Sequence, residues 1–195
     1  MTKQEILENK KRFTDLLLQT KKQGIESLIQ WLESTDFFEA PASTKFHEPY
    51  EGGLVEHSLT VYDKMQIQVA EYELVHPEHI VHPESIILCS LLHDICKANF
   101  YKAGTRNVKN EKTGVWEKVP VYLVEDSFPM GHGEKSMFLI ERFVRLEPDE
   151  AMAIRWHMGA WGVAGNDIYA LTGALEKFPI VLLLQTADMH ATYLK

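Results

Sequence analysis

Four residues interrupt the apolar stripes of this chain, and their types suit metal chemistry. Between Pro83 and Ala98 the stripe runs Ile87, Leu91, Asp94, Ala98, at intervals of 4, 3 and 4. Near the C-terminus it runs Val181, Leu184, Asp188, Ala191, at 3, 4 and 3. On a helix both spacings turn the aspartate toward the core. His57 interrupts Leu54 and Val61 in the same way, and His93 directly precedes Asp94, so the adjacent pair can reach one point from a single turn. A buried carboxylate without compensation costs more than a domain's net stability, so it must be neutralised, paired or bound to a cation. Taken singly, a histidine on an apolar face is usually a hydrogen-bonded core residue. A single buried aspartate usually pairs with Arg or Lys or caps a helix. Two of each on three helices favour a shared divalent cation such as Zn, Mn, Fe or Ni, and the lack of thiolates argues against a structural zinc site.

The elements that must position these residues are mostly helical by periodicity. Helices are expected over about 3–20, 24–34, 54–74, 83–98, 133–146 and 148–157, and from 167 to 194 with an interruption at Pro179. Residues 35–53 lose periodicity and contain Pro41, Pro49 and Gly52-Gly53, which reads as a loop. Residues 105–124 supply Val108, Trp116, Val119, Val121, Tyr122 and Val124 around an Asn110-Glu111-Lys112-Thr113-Gly114 turn, which reads as a β-hairpin. The expected architecture is all-α, a helical bundle with a small hairpin insert. It forms one domain over 1–195, with N-terminal helices in 1–35 and a metal-site core in 52–188.

Composition narrows the function classes. With 195 residues, 45% hydrophobic and 25% charged, the chain can bury a genuine core. Twenty basic residues against 28 acidic ones give a net charge of −8, which argues against a general nucleic-acid coat. The longest aliphatic run, Ile180 to Leu184, is far below the roughly 20 residues of a membrane span. The polar N-terminus lacks a signal-peptide core, so a cytoplasmic protein without a membrane partner is expected. Cys89 and Cys96 lie seven apart and are expected to share a helix face as reduced core thiols.

The ordered set His57, His93-Asp94, Asp188 resembles the H…HD…D signature of the HD-domain phosphohydrolases. Gly52-Gly53-Leu54-Val55-Glu56-His57-Ser58 is similar to the family's GG-L-x-EH-S/T segment, and Leu91-Leu92-His93-Asp94-Ile95-Cys96-Lys97 to its LLHDIxK segment. The resemblance implies a helical bundle around one or two divalent ions (Mn, Fe, Ni, Co or Zn, with Mg also admissible). It makes His57, His93, Asp94 and Asp188 the first ion's ligands. It puts Lys97 where the family holds substrate phosphate; a lysine favoured by the dipole at a helix end is the plainer reading. His132, between Gly131 and Gly133, and His157 sit where dinuclear members place second-ion ligands, with Asp94 bridging. Those members often carry an adjacent histidine pair at the later position, where this chain has Trp156-His157. His47, His76, His79, His82 and His190 are expected to be solvated or packing residues, although His47 could face the site.

The implied activity is metal-dependent hydrolysis of a phosphate ester in a phosphorylated small molecule or nucleotide, with a short nucleic acid also admissible. Asp94 and Lys97 are expected to take part in catalysis. From Lys102 to Lys118 five basic residues meet two acidic ones, a local +3 that suits phosphate but also suits a solvated hairpin with protective edge lysines. Tyr101, Trp116 and Trp161 could stack on a base. A similarity to the HD portion of bacterial 3′-to-5′ exoribonucleases, and a non-catalytic metal-binding sensor or scaffold, are the competing readings. No phosphate-loop, H-E-x-x-H, G-x-S-x-G or EF-hand pattern occurs.

Overall fold

Apolar spacing and proline placement divide the chain into helices. The computed structural model describes residues 1–161 and 163–194. Helices α1 (Lys3–Gln19) and α2 (Ile25–Glu33) precede a loop. Then come α3 (Gly53–Val75), α4 (Pro83–Leu92), a 3-10 turn (Ile95–Lys97) and an antiparallel hairpin of β1 (Tyr101–Lys109) and β2 (Trp116–Val124). Helices α5 (His132–Glu141), α6 (Pro148–Trp156), α7 (Asp167–Lys177) and α8 (Pro179–Tyr193) complete the described chain. The molecule is mostly helical with one small hairpin. No described helix is long and apolar enough to cross a membrane.

Local chemistry sets the helix starts. Thr2 and Glu5 form a capping box at α1, and Glu147 and Glu150 form another at α6. Proline opens α4, α6 and α8, where its missing N–H has no intrahelical partner to lose. Helix α3 packs against α4 and α8, α6 packs against α8 and α4, and α5 lies on α6 and the 3-10 turn. Leu54, Val61 and Met65 of α3 meet the buried Leu88, Leu91, Ile154, Val181 and Leu184 in a continuous core. Phe13 anchors α1 to the loop through Phe37 and Phe38, with ring centroids 5.2 and 5.6 Å away.

Several boundaries differ from the sequence reading. The helix expected over 83–98 ends at Leu92, and His93 and Asp94 form the joint to the 3-10 turn. Cys89 therefore stays on α4 while Cys96 sits in the 3-10 turn, so the two do not share a helix face. The hairpin begins at Tyr101, earlier than expected, and α5 ends at Glu141. The break at Pro179 falls where it was expected.

Candidate metal centre

The two glycines before α3 explain how its first turn is reached by the preceding loop. Gly52 adopts φ of 80°, and a Cβ on Gly53 would lie 2.1 Å from the Glu48 carbonyl oxygen. The loop is thereby pressed against the start of α3, four residues before His57. Glu48 adopts φ of 37°, uncommon for a residue with a side chain, and its carbonyl accepts from Ala42 N at 3.1 Å.

His57 projects from that first turn. His93 caps the C-terminus of α4, and Asp94 has φ −105° and ψ 16°, in the sparsely populated bridge region between helical and extended backbone. His132 opens α5, His157 caps α6, and Asp188 lies within α8. All six predicted ligand residues converge. His57 Nε2 lies 3.0 Å from Asp188 Oδ1 and 3.9 Å from Asp94 Oδ2. His93 Nε2 lies 3.5 Å from Asp94 Oδ2 and 4.0 Å from Asp188 Oδ1. On the other side, Asp94 Oδ1 accepts from His132 Nε2 at 2.6 Å and lies 3.6 Å from His157 Nε2. One carboxylate thus turns one oxygen to each of two imidazole pairs.

Ring tautomers sharpen the fit to a cation. His93 Nδ1 donates to the Ser90 carbonyl at 2.8 Å, and His157 Nδ1 donates to the Ile154 carbonyl at 2.7 Å. A carbonyl only accepts, so in the neutral ring each Nε2 carries a bare lone pair aimed inward. His93 Nε2, His157 Nε2 and both His57 nitrogens are buried with no hydrogen-bond partner. The 3.0 Å approach of His57 to Asp188 lacks hydrogen-bond alignment, as expected of two donor atoms facing a common third point. Uncommitted imidazole nitrogens, brought together in a buried place beside two carboxylates, fit a divalent ion. His57, His93 and Asp94 form one compact ligand group, and Asp94, His132 and His157 form another.

Electrostatics holds the carboxylates charged. Burial opposes ionisation of Asp94, but Lys97, His93 and His132 outweigh it and hold the carboxyl well below its usual range. Asp188 is likewise held low, burial being outweighed by His57 and His93. Burial pushes His93 down to about 4, keeping it neutral. For His157 burial acts downward too, but Asp94 overcomes it and the net shift is upward. Lys97 is buried with its Nζ 2.5 Å from Asp94 Oδ2, and that carboxylate outweighs burial to raise its pKa. Lys97 is therefore no solvated helix-end lysine.

Two neighbours, Glu48 and Cys96, escaped the sequence reading, and a third, His47, was expected to be solvated or packing with the alternative of facing the site. His47 is not solvated: its ring centroid lies 4.7 Å from that of His57, both its nitrogens are buried without partners, and burial lowers its pKa to about 4. Glu48 Oε2 approaches His57 Nδ1 at 3.6 Å, the side on which a metal-binding imidazole commonly meets a carboxylate. Cys96 Sγ lies 3.4 Å from His132 Nδ1, and burial pushes its thiol up to about 12. The Gly52-Gly53 pair marks a tight entry to α3 in the sequence, but only the fold shows that Glu48 is what approaches it. His76 and His79 lie at the surface beside Glu78, His82 precedes α4, and His190 meets Gln68.

A cleft of about 460 Å³ opens onto this cluster, with His47, Lys97 and Asp188 on its floor and exposed Phe46, Trp161 and Tyr193 on its rim. Compared with known proteins, the chain matches no family model, no curated protein and no solved structure.

Proposed function

We propose that the protein is a metal-dependent phosphohydrolase of the HD-domain kind, acting on a phosphate ester of a nucleotide or nucleic-acid fragment. The observation that carries the reading is the divided carboxylate of Asp94. Its Oδ2 faces His57 and His93 with Asp188 close by, and its Oδ1 faces His132 and His157. His57, His93, Asp94 and Asp188 would hold a first divalent ion, and His132 and His157 would share Asp94 for a second. Such ions, drawn from Mn, Fe, Ni, Co, Zn or Mg, supply Lewis acidity toward phosphoryl oxygens.

The remaining work falls to the chain. Lys97, on the cleft floor, offers a fixed positive charge to the nonbridging oxygens, where charge develops during the reaction. His47 is neutral and its two nitrogens are uncommitted, so it offers the substrate one hydrogen-bond donor and one acceptor. The cleft volume suits a small molecule, and the rim aromatics offer a face to a base. Elemental analysis of protein purified without chelators, followed by turnover on a nucleotide panel with each metal, tests the reading. Metal without turnover on any phosphorylated compound favours a sensor or scaffold. Absence of both removes the proposal.

A further inference from the structure

The hairpin stands apart from the metal centre and has its own chemistry. Each strand has nine residues, so the ribbon is about 30 Å long at roughly 3.4 Å per residue. Its root is fixed beside the cleft, where Tyr101 follows the 3-10 turn bearing Lys97 and its Oη meets the Ala42 carbonyl at 3.4 Å. Toward the tip, residues on both faces are exposed. A two-stranded hairpin open on both sides is marginally stable in water, so a partner that covers one face stabilises it.

The register separates the charges of the outer half. Lys109 stands opposite Trp116, and Asn107 opposite Lys118, so these four share one face. Both carboxylates of the segment lie elsewhere. Glu117 stands opposite Val108 on the other face and accepts from Asn110 Nδ2 at 2.9 Å, while Glu111 is in the turn. Among the described residues no carboxylate pairs with Lys109 or Lys118. Trp116 is 67% exposed between these lysines. A solvated edge needs lysines, but it gives no reason to expose an indole beside them on an acid-free face of a chain of net charge −8.

We propose that this face is a docking surface for single-stranded nucleic acid. Bases stack on Trp116 while phosphates run past Lys109 and Lys118. Every base has a π-face, so the contact tolerates sequence, and the paired lysines follow the backbone charge. The arm extends the phosphate-ester reading by bringing a strand toward the cleft, but its capture of the strand requires no metal.

The test is fluorescence anisotropy of the full chain with a labelled single-stranded oligonucleotide of about 12 residues, in chelator, across a salt series. Wild type should bind, and Trp116→Ala should weaken binding on the order of 10- to 100-fold while Trp116→Phe retains most of it. Replacing Lys109 and Lys118 with Ala should flatten the salt slope by about 1.4, at about 0.7 per phosphate contact on a single strand. These two exposed positions keep the test decisive if the Trp116 variants unfold. Binding is read in chelator and turnover on the nucleotide panel with metal, so failure of the metal reading and failure of the docking surface are told apart. No binding by wild type, unchanged affinity in Trp116→Ala, equal affinity for heparin, or capture of anionic phospholipid vesicles in place of the oligonucleotide would each overturn the proposal.

Discussion

Replacing Asp94 with alanine should do two separable things, because this carboxylate serves both the ligand cluster and a buried lysine. Lys97 is buried and its Nζ is 2.5 Å from Asp94 Oδ2, so the variant leaves an ammonium inside the protein without its counter-charge. Breaking a buried pair from one side costs about 3–5 kcal/mol. At about 2–4 °C per kcal/mol for a chain of this size, the metal-free thermal midpoint should fall by roughly 6–20 °C. Adding Lys97→Met removes the orphaned charge, so the double variant should recover most of that loss. Metal content should follow a different pattern. It should fall to near zero in Asp94→Ala and stay there in the double variant, since both imidazole pairs have lost their shared oxygen donor. Urea unfolding in chelator and elemental analysis on the same preparations read the two effects independently. Full metal occupancy in Asp94→Ala would refute the ligand assignment. A double variant no more stable than Asp94→Ala would refute the account of Lys97.

The two halves of the site should separate by stoichiometry: His57→Ala should empty the first position, whereas His132→Ala should leave about one ion per chain, with turnover measured on the same samples. Equal metal and equal turnover in wild type and His132→Ala would remove His132 from the ligand set. In metal-free protein, His93 is held at about 4 against an ordinary 6.5, so its stabilisation is complete above pH 6.5 and is lost as pH falls toward 4, by about 3 kcal/mol. His157, shifted upward, contributes in the opposite sense, and the depressed Asp94 and Asp188 lose their contribution only below the ordinary carboxylate range. A loss of stability between pH 7 and pH 4.5 no smaller in His93→Gln than in wild type would contradict the buried neutral His93. Glu150 offers a control away from the metal: fully buried, it accepts from Lys22 Nζ at 2.6 Å and Ser85 Oγ at 2.7 Å. Glu150→Ala should cost about 3–5 kcal/mol of stability yet leave metal per folded chain unchanged, which unfolding and elemental analysis check together.

What the sequence revealed and what it hid follow from the same periodicity. Asp188 was legible because α8 is continuous through it, so buried Val181, Leu184 and Ala191 define its face. Asp94 was legible for a less direct reason. The chain leaves the α-helix at Leu92, so the stripe holds through Ile87 and Leu91 and then meets a joint that periodicity alone cannot reveal, where Asp94 is nevertheless buried. That joint turns the Asp94 carboxylate between the two imidazole pairs; an unbroken α4 would present it along one helix face. Glu48 stayed hidden, and His47 was named only as a residue that could face the site, because an aperiodic loop has no face to infer. Their place is set by the close approach at Gly53 and by the positive φ of Glu48, which are properties of the fold. Cys96 stayed hidden because its side depends on the same joint, which turns it from the face expected for Cys89 toward His132. Stripes thus exposed the donors that helices carry, while the groups that orient and surround those donors sit on loop and joint, where spacing carries no directional information.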